Sequence, residues 1–313
     1  MLKKVFVLMI CLIFCLGCKE KAMQDPRVEL KYFKDNNCYI GSISNFPVDR
    51  KYILYSTFSV FWKIDGKINQ IDIPSAPLLL TYSETNNKIL VAAMKGVYEI
   101  SPQASELTEI ELPVKPFFNF GISSRPGYEI FACGSEGMDD LCVYYNCLTG
   151  RIKRINTSSS VRGASFSDSK VFFNTEQNIF QYNIGLSALT ESGKTRKPLS
   201  RIKGSWDDTP ILFLEEDDEK SFLYWSDAAV EFQCFLKFVG CNGDFLWVID
   251  CDNQIYRIAK NASKELVDEI DPGATGFGML DNGMWVSFPD GKVISYTNEG
   301  IKNKVFLDLP FIE

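Results

Sequence analysis

The sequence predicts an all-β fold, a single β-propeller of seven four-stranded blades, on three observations. An apolar-alternating run followed by a turn and a second run recurs seven times along the 313 residues. Turn-forming groups fall between the runs, at Asp65-Gly66, Asn87, Thr149-Gly150, Asn242-Gly243, Asp281-Asn282-Gly283 and Asp290-Gly291. No stretch carries sustained helical periodicity with caps, so an α/β fold fits poorly.

The recurring run begins at Val60 to Gly66 and returns as Val97 to Ile100, Val143 to Asn146, Ile179 to Tyr182, Phe222 to Trp225, Ile255 to Ile258 and Val293 to Tyr296. Anchors at Phe61, Val97, Val143, Ile179, Phe222, Ile255 and Val293 are 33 to 46 residues apart, the length of one four-stranded blade. Alternation at period two marks half-buried strands. Two shorter runs precede an anchor, as in Pro77 to Tyr82 with Lys88 to Ala92, Phe117 to Ile122 with Tyr128 to Cys133, and Gly276 to Leu280 with Met284 to Phe288. Pro74, Pro77, Pro113, Pro116, Pro198 and Pro272 punctuate the ends of blades, where no central ladder bond is lost. The extra run Val28 to Phe33 is expected to complete the last blade and close the ring. A different assignment of Tyr39 to Ser44 makes the count six or eight.

The N-terminus reads as an export signal: Lys3 and Lys4 precede the apolar run Val5 to Leu16, which is short for a membrane span. Its end, Cys15-Leu16-Gly17-Cys18, resembles the lipobox of bacterial lipoproteins. The resemblance implies cleavage before Cys18 and acylation of that cysteine. Cys15 stands where the family usually has Leu, and a plain secretory signal is the alternative. Residues 1–17 are then the signal peptide, 18–27 the lipidated cysteine with a polar tether, and 28–313 the propeller. By resemblance to enterobacterial lipoproteins, Lys19 in place of Asp after the cysteine implies the outer membrane. The run Phe61-Trp62-Lys63-Ile64-Asp65-Gly66-Lys67 is similar to the outer hairpin of bacterial six- and seven-bladed propellers, TolB-like and quinoprotein-like in the broad sense, and implies fold only.

The net charge of −7 becomes −9 once Lys3 and Lys4 leave with the signal, which makes nucleic acid an unsuitable partner. There is no histidine, so histidine-based triads and histidine-held metals are excluded. No metal or other cofactor is expected. Beyond the signal and Cys18, seven cysteines remain, at 38, 133, 142, 147, 234, 241 and 251. An odd number in an oxidising compartment leaves at least one unpaired. Cys133 and Cys142 end one strand and start the next, which places them opposite each other as the expected disulfide.

Carboxylates cluster in two loops between second and third strands: Glu136, Asp139 and Asp140 in the third blade, and Glu215, Glu216, Asp217, Asp218 and Glu219 in the fifth. On one face they form a site for a cation or a basic partner; the competing reading is a solvated charge run, neutralised by Lys194, Arg196 and Lys197. Trp206, beside Asp207 and Asp208, is placed in a turn as an exposed anchor for a partner. Trp62, Trp225, Trp247 and Trp285 read as packing between blades. The function expected is a non-catalytic, membrane-anchored binding or scaffold lipoprotein with a protein partner, one version being an inhibitor or immunity protein. The alternative is a carboxylate-dependent hydrolase or lyase acting on a glycan or small ester in the channel.

Overall fold

The computed structural model describes residues 39 to 306, except 45–50, 56–58, 65–67, 115–116, 124–127, 137–138, 217–219 and a few single positions. The signal peptide, Cys18, the tether and Val28 to Phe33 lie outside the described residues.

Among the described residues the strands form seven four-stranded antiparallel sheets. The first, β1 (Tyr39–Ser44), β2 (Lys51–Tyr55), β3 (Ser59–Lys63) and β4 (Ile68–Asp72), is described mainly by its backbone ladder. The second is β5 (Pro77–Ser83), β6 (Lys88–Ala93), β7 (Gly96–Ser101) and β8 (Glu106–Ile110), and the third β9 (Phe117–Ser123), β10 (Glu129–Glu136), β11 (Asp139–Asn146) and β12 (Arg151–Asn156). The fourth is β13 (Gly163–Phe166), β14 (Lys170–Asn174), β15 (Asn178–Asn183) and β16 (Ala188–Lys194). The fifth is β17 (Arg201–Trp206), β18 (Thr209–Glu216), β19 (Lys220–Trp225) and β20 (Ala228–Phe232). The sixth is β21 (Leu236–Cys241), β22 (Leu246–Asp250), β23 (Gln254–Ile258) and β24 (Lys264–Glu269), and the seventh β25 (Gly276–Leu280), β26 (Gly283–Ser287), β27 (Lys292–Thr297) and β28 (Lys302–Phe306).

Strands follow chain order across every sheet. The first strands stand side by side around a circle: β1 beside β5, then β9, β13, β17, β21 and β25, which returns to β1. This is the radial arrangement of a propeller. All seven repeat anchors fall in third strands, and the paired runs ahead of them are first and second strands. Pro74, Pro113 and Pro272 lie in or beside the crossovers between sheets.

Among the described side chains, second strands such as β6, β14 and β22 are buried on both faces, which explains why they read as nearly continuous apolar runs. In β6, Ile89 and Val91 pack toward Ile53, Val60 and Trp62 of the first sheet. Leu90 and Ala92 pack the other way, onto Ile130, Ala132 and Val143 of the third. The pattern repeats with Trp247 and Ile249 on one face of β22 and Leu246 and Val248 on the other. Fourth strands such as β12 and β16 are largely exposed and form the outer rim. Neighbouring sheets therefore bury more apolar surface together than any one does alone, as repeat architectures require.

Polar links add to this packing. Trp225 donates its indole N–H to the Lys260 carbonyl at 2.9 Å, and the Tyr296 hydroxyl donates to Asp268 Oδ2 at 2.6 Å, each joining adjacent sheets. Between the fourth and fifth sheets the backbones themselves touch: a Cβ on Gly163 would lie 2.6 Å from the Ile202 amide nitrogen.

The expectation that Val28 to Phe33 completes the last blade falls outside the described residues. Among those described, the seventh sheet takes its four strands from Gly276 to Phe306. Closure lies where β1 and β25 meet.

Candidate functional site

Because each sheet runs antiparallel from its first strand to its fourth, the second–third turns and the crossovers entering first strands lie at the same end. Hydrogen bonds tie the two together. Met94 N–H donates to the Ala76 carbonyl at 3.1 Å in the second sheet, and Thr275 N–H to the Ser287 carbonyl at 2.9 Å in the seventh. That end of the ring is the turn-and-crossover face.

Both acidic groups belong to it. Glu136 and Asp139 pair across the end of the β10–β11 ladder, and Ser135 pairs with Asp140. Asp140 Oδ2 accepts from the Ser160 hydroxyl at 2.6 Å, which ties this turn to the crossover leaving the third sheet. In the fifth sheet Glu215 faces Ser221 and Glu216 faces Lys220 across the β18–β19 ladder. Asp217, Asp218 and Glu219 lie outside the described residues.

Among the described residues, further ion pairs involve this acidic turn and its neighbours. Glu215 pairs with Arg201 at 3.4 Å, and Lys220 pairs with Glu231 at 2.9 Å. Lys194 pairs with Glu191 at 2.9 Å, and the Lys197 ammonium sits over the Phe222 ring. Arg196 lies outside the described residues.

Trp206 is a correction. It is 2% exposed and packs edge to face on Trp225, with ring centroids 5.0 Å apart. The period-two pattern of β17 buries Ile202, Gly204 and Trp206 together, so the strand runs through the tryptophan before it turns. Trp206 also ends the first strand, at the opposite end of the sheet from Glu215, and is no surface anchor. Trp62, Trp225, Trp247 and Trp285 are buried as expected.

Exposed apolar side chains that the sequence did not mark as surface sites also reach the turn-and-crossover face: Leu78, Met94, Leu199 and Phe235. Each sits in a crossover, beside one, or in a second–third turn. A strand's period cannot show them because Met94, Leu199 and Phe235 lie outside strands and Leu78 sits at the register shift that opens β5.

Cys133 and Cys142 are directly opposed in the β10–β11 register, both fully buried, as thiols sharing a hydrogen bond. Burial pushes the Cys133 thiol well above the usual range, and the bond to Cys142 adds to it. Burial, with Glu99 nearby, pushes the Cys147 thiol up to about 12, so it is a poor nucleophile.

No family model and no curated protein matches the chain. Solved structures do. PorZ, described as an essential bacterial surface component of the type-IX secretion system of Porphyromonas gingivalis, superposes with a TM-score of 0.56 at 12% identity, over 83% of this chain and 37% of its own. The Dos1 propeller gives 0.56 at 11% identity, over 79% of this chain and 75% of that one. Sqt1 of Saccharomyces cerevisiae gives 0.52 at 14%, over 82% and 81%. The chain folds as a β-propeller. It spans little more than a third of PorZ, and at these identities the likeness concerns fold alone.

The central channel of this propeller is lined by the first strands. None of the seven carries Asp or Glu, and their charged residues are Arg201, Lys203 and Lys237. The first strands therefore offer no carboxylates for a glycosidase-type pair. The two buried carboxylates among the described residues are held structurally. Glu129 accepts from the Tyr144 hydroxyl at 3.0 Å, and Asp250 caps its own turn by accepting from the Asp252 and Gln254 amides at 3.0 and 2.9 Å. Among the described residues no group of three or more Cys, Asp or Glu converges to hold a metal ion.

Proposed function

We propose that the chain is a bacterial envelope lipoprotein, acylated at Cys18, whose seven-bladed propeller presents its turn-and-crossover face to a basic protein partner. The observation that carries this reading is the composition of that face. Glu136, Asp139 and Asp140 of the third sheet and Glu215 and Glu216 of the fifth share it with exposed Leu78, Met94, Leu199 and Phe235. Apolar anchors rimmed by charge are the make-up of a protein-binding surface, and its acidic rim steers a basic partner toward it. An inhibitor or immunity protein that neutralises a basic toxin is one role of this kind. PorZ, a protein of similar fold, is a bacterial surface component of the type-IX secretion system.

The lipid part is tested by Cys18→Ala. The variant is expected to lose incorporation of labelled fatty acid and to leave the membrane fraction or remain unprocessed; unchanged retention and an unmodified mature N-terminus would refute acylation. The face is tested by cross-linking in cells followed by peptide mapping. Neutralising Glu215, Glu216, Asp217, Asp218 and Glu219 to their amides is expected to remove most cross-links between the propeller and its partner. Raising salt from ~0.05 to ~0.5 M should weaken capture at least tenfold. Leu186→Ser, in the exposed turn between β15 and β16 at the other end of the ring, should change neither. Cross-links that map around Leu186, or capture indifferent to salt, would contradict the assignment.

We further infer that Cys133 and Cys142 are joined once the protein reaches an oxidising compartment. Non-reducing peptide mapping of protein taken from the envelope is expected to find them linked; both thiols free to alkylate after unfolding would exclude it.

A further inference from the structure

The link between a sheet's incoming crossover and its second strand or second–third turn recurs around the ring with oxygen as the acceptor. Lys95 N–H donates to Ser75 Oγ at 2.9 Å in the second sheet, and Arg162 N–H to the Asn174 carbonyl at 2.7 Å in the fourth. In the sixth sheet the acceptor is sulfur: Cys251 N–H donates to Cys234 Sγ at 3.4 Å, and the two thiols share a hydrogen bond.

Strand register explains the pairing. Leu236 is opposite Asp250 at one end of the β21–β22 ladder, with Cys234 two residues before the first and Cys251 immediately after the second. Cys241, the third cysteine of this region, faces Leu246 at the other end of the same ladder. The turn that carries Cys251 is rigid: the Asp250 carboxylate accepts from two of its amides, and Ile270 N–H donates to the Asn253 carbonyl at 3.0 Å. Both cysteines are partly open to solvent, unlike the fully buried Cys133 and Cys142.

We propose that Cys234 and Cys251 form a disulfide that fastens the crossover between the fifth and sixth sheets to the β22–β23 turn, on the turn-and-crossover face. The oxidant is a disulfide, either a small-molecule one or that of a thiol–disulfide exchange protein. The Cys234 thiolate attacks one sulfur of that disulfide, forming a mixed disulfide and releasing the other sulfur as a thiolate. The Cys251 thiolate then attacks the Cys234 sulfur, and the second half of the oxidant leaves as a thiolate. Two cysteine protons pass to the two leaving thiolates, and two electrons pass from the cysteines to the oxidant. Desolvation and the bond shared with Cys234 raise the Cys251 thiol above its usual range, so the resolving step speeds up as pH rises. The bond holds the segment that carries exposed Phe235, and it forms whatever that face binds.

The test uses the purified full chain, reduced, then incubated with oxidised glutathione, alkylated and mapped without reduction. A peptide joining Cys234 to Cys251 is expected, with a rise in Tm of about 5–10 °C that dithiothreitol reverses. Cys234→Ser and Cys251→Ser should each abolish both signals, the latter leaving glutathione on Cys234, while Cys241→Ser keeps both. Cys234 and Cys251 both alkylated after incubation, or Cys234 linked to another cysteine of the chain, would overturn the proposal. If a serine variant does not fold, the wild-type peptide map decides by itself.

Discussion

Replacing Gly283 with alanine is expected to lower stability by about 3–5 kcal/mol, a drop in Tm on the order of 10 °C for a domain of this size. A Cβ at this position lies 1.8 Å from the Tyr296 carbonyl oxygen, and that oxygen belongs to the backbone of the neighbouring strand. No side-chain rotation relieves the overlap. The β26–β27 ladder must part where Gly283 faces Thr297 and Met284 faces Tyr296, in a sheet whose Trp285 and Val286 are buried. Calorimetry on the variant measures the effect, and a Tm within about a degree of wild type would show that the ladder can shift at no cost.

Asn174→Ala is the second large effect, expected at about 2–5 kcal/mol. This side chain is fully buried at the end of β14 and reaches into the next sheet. Its Nδ2 donates to the Ser200 carbonyl at 2.8 Å and to the Thr175 carbonyl at 3.0 Å, while its Oδ1 accepts from Ile202 N–H at 2.9 Å. Alanine leaves the Ile202 donor and the Ser200 acceptor buried beside a void, each at a cost of about 1–3 kcal/mol. The close approach of Gly163 to Ile202 leaves no room for the strands to slide and re-pair. The loss should therefore loosen the joint between the fourth and fifth sheets. Limited proteolysis in the crossover around Ser200 is expected to accelerate in step with the fall in Tm. Unchanged cleavage with a lowered Tm would place the damage elsewhere.

Much of the ring was legible in the sequence because its physics is local. Third strands such as Phe222 to Trp225 alternate between a packed and a less packed side, and Asp290-Gly291 and Thr149-Gly150 mark turns in which glycine takes a positive φ, 79° at Gly291 and 67° at Gly150. Second strands were legible as apolar runs although they do not alternate, since both faces meet a neighbour. What stayed hidden depends on contacts between sheets. Trp206 followed by two aspartates looks like a turn, and only the partner Trp225 across the fifth sheet explains why it is inside. Arg201 pairs with Glu215 because the β17–β18 ladder brings them together across 14 residues, whereas the expected cations were Lys194, Arg196 and Lys197.

The claim on which the rest depends is a ring closed between β1 and β25, because closure is what makes the sheets a propeller and not an open array. Amide hydrogen exchange followed by mass spectrometry tests it most directly. In a closed ring, peptides covering Tyr39–Ser44 and Gly276–Leu280 should exchange as slowly as those covering Gly163–Phe166, a first strand far from the seam. An open ring exposes one side of the first and seventh sheets, and exchange in both peptides at least tenfold faster than at Gly163–Phe166 would contradict the account.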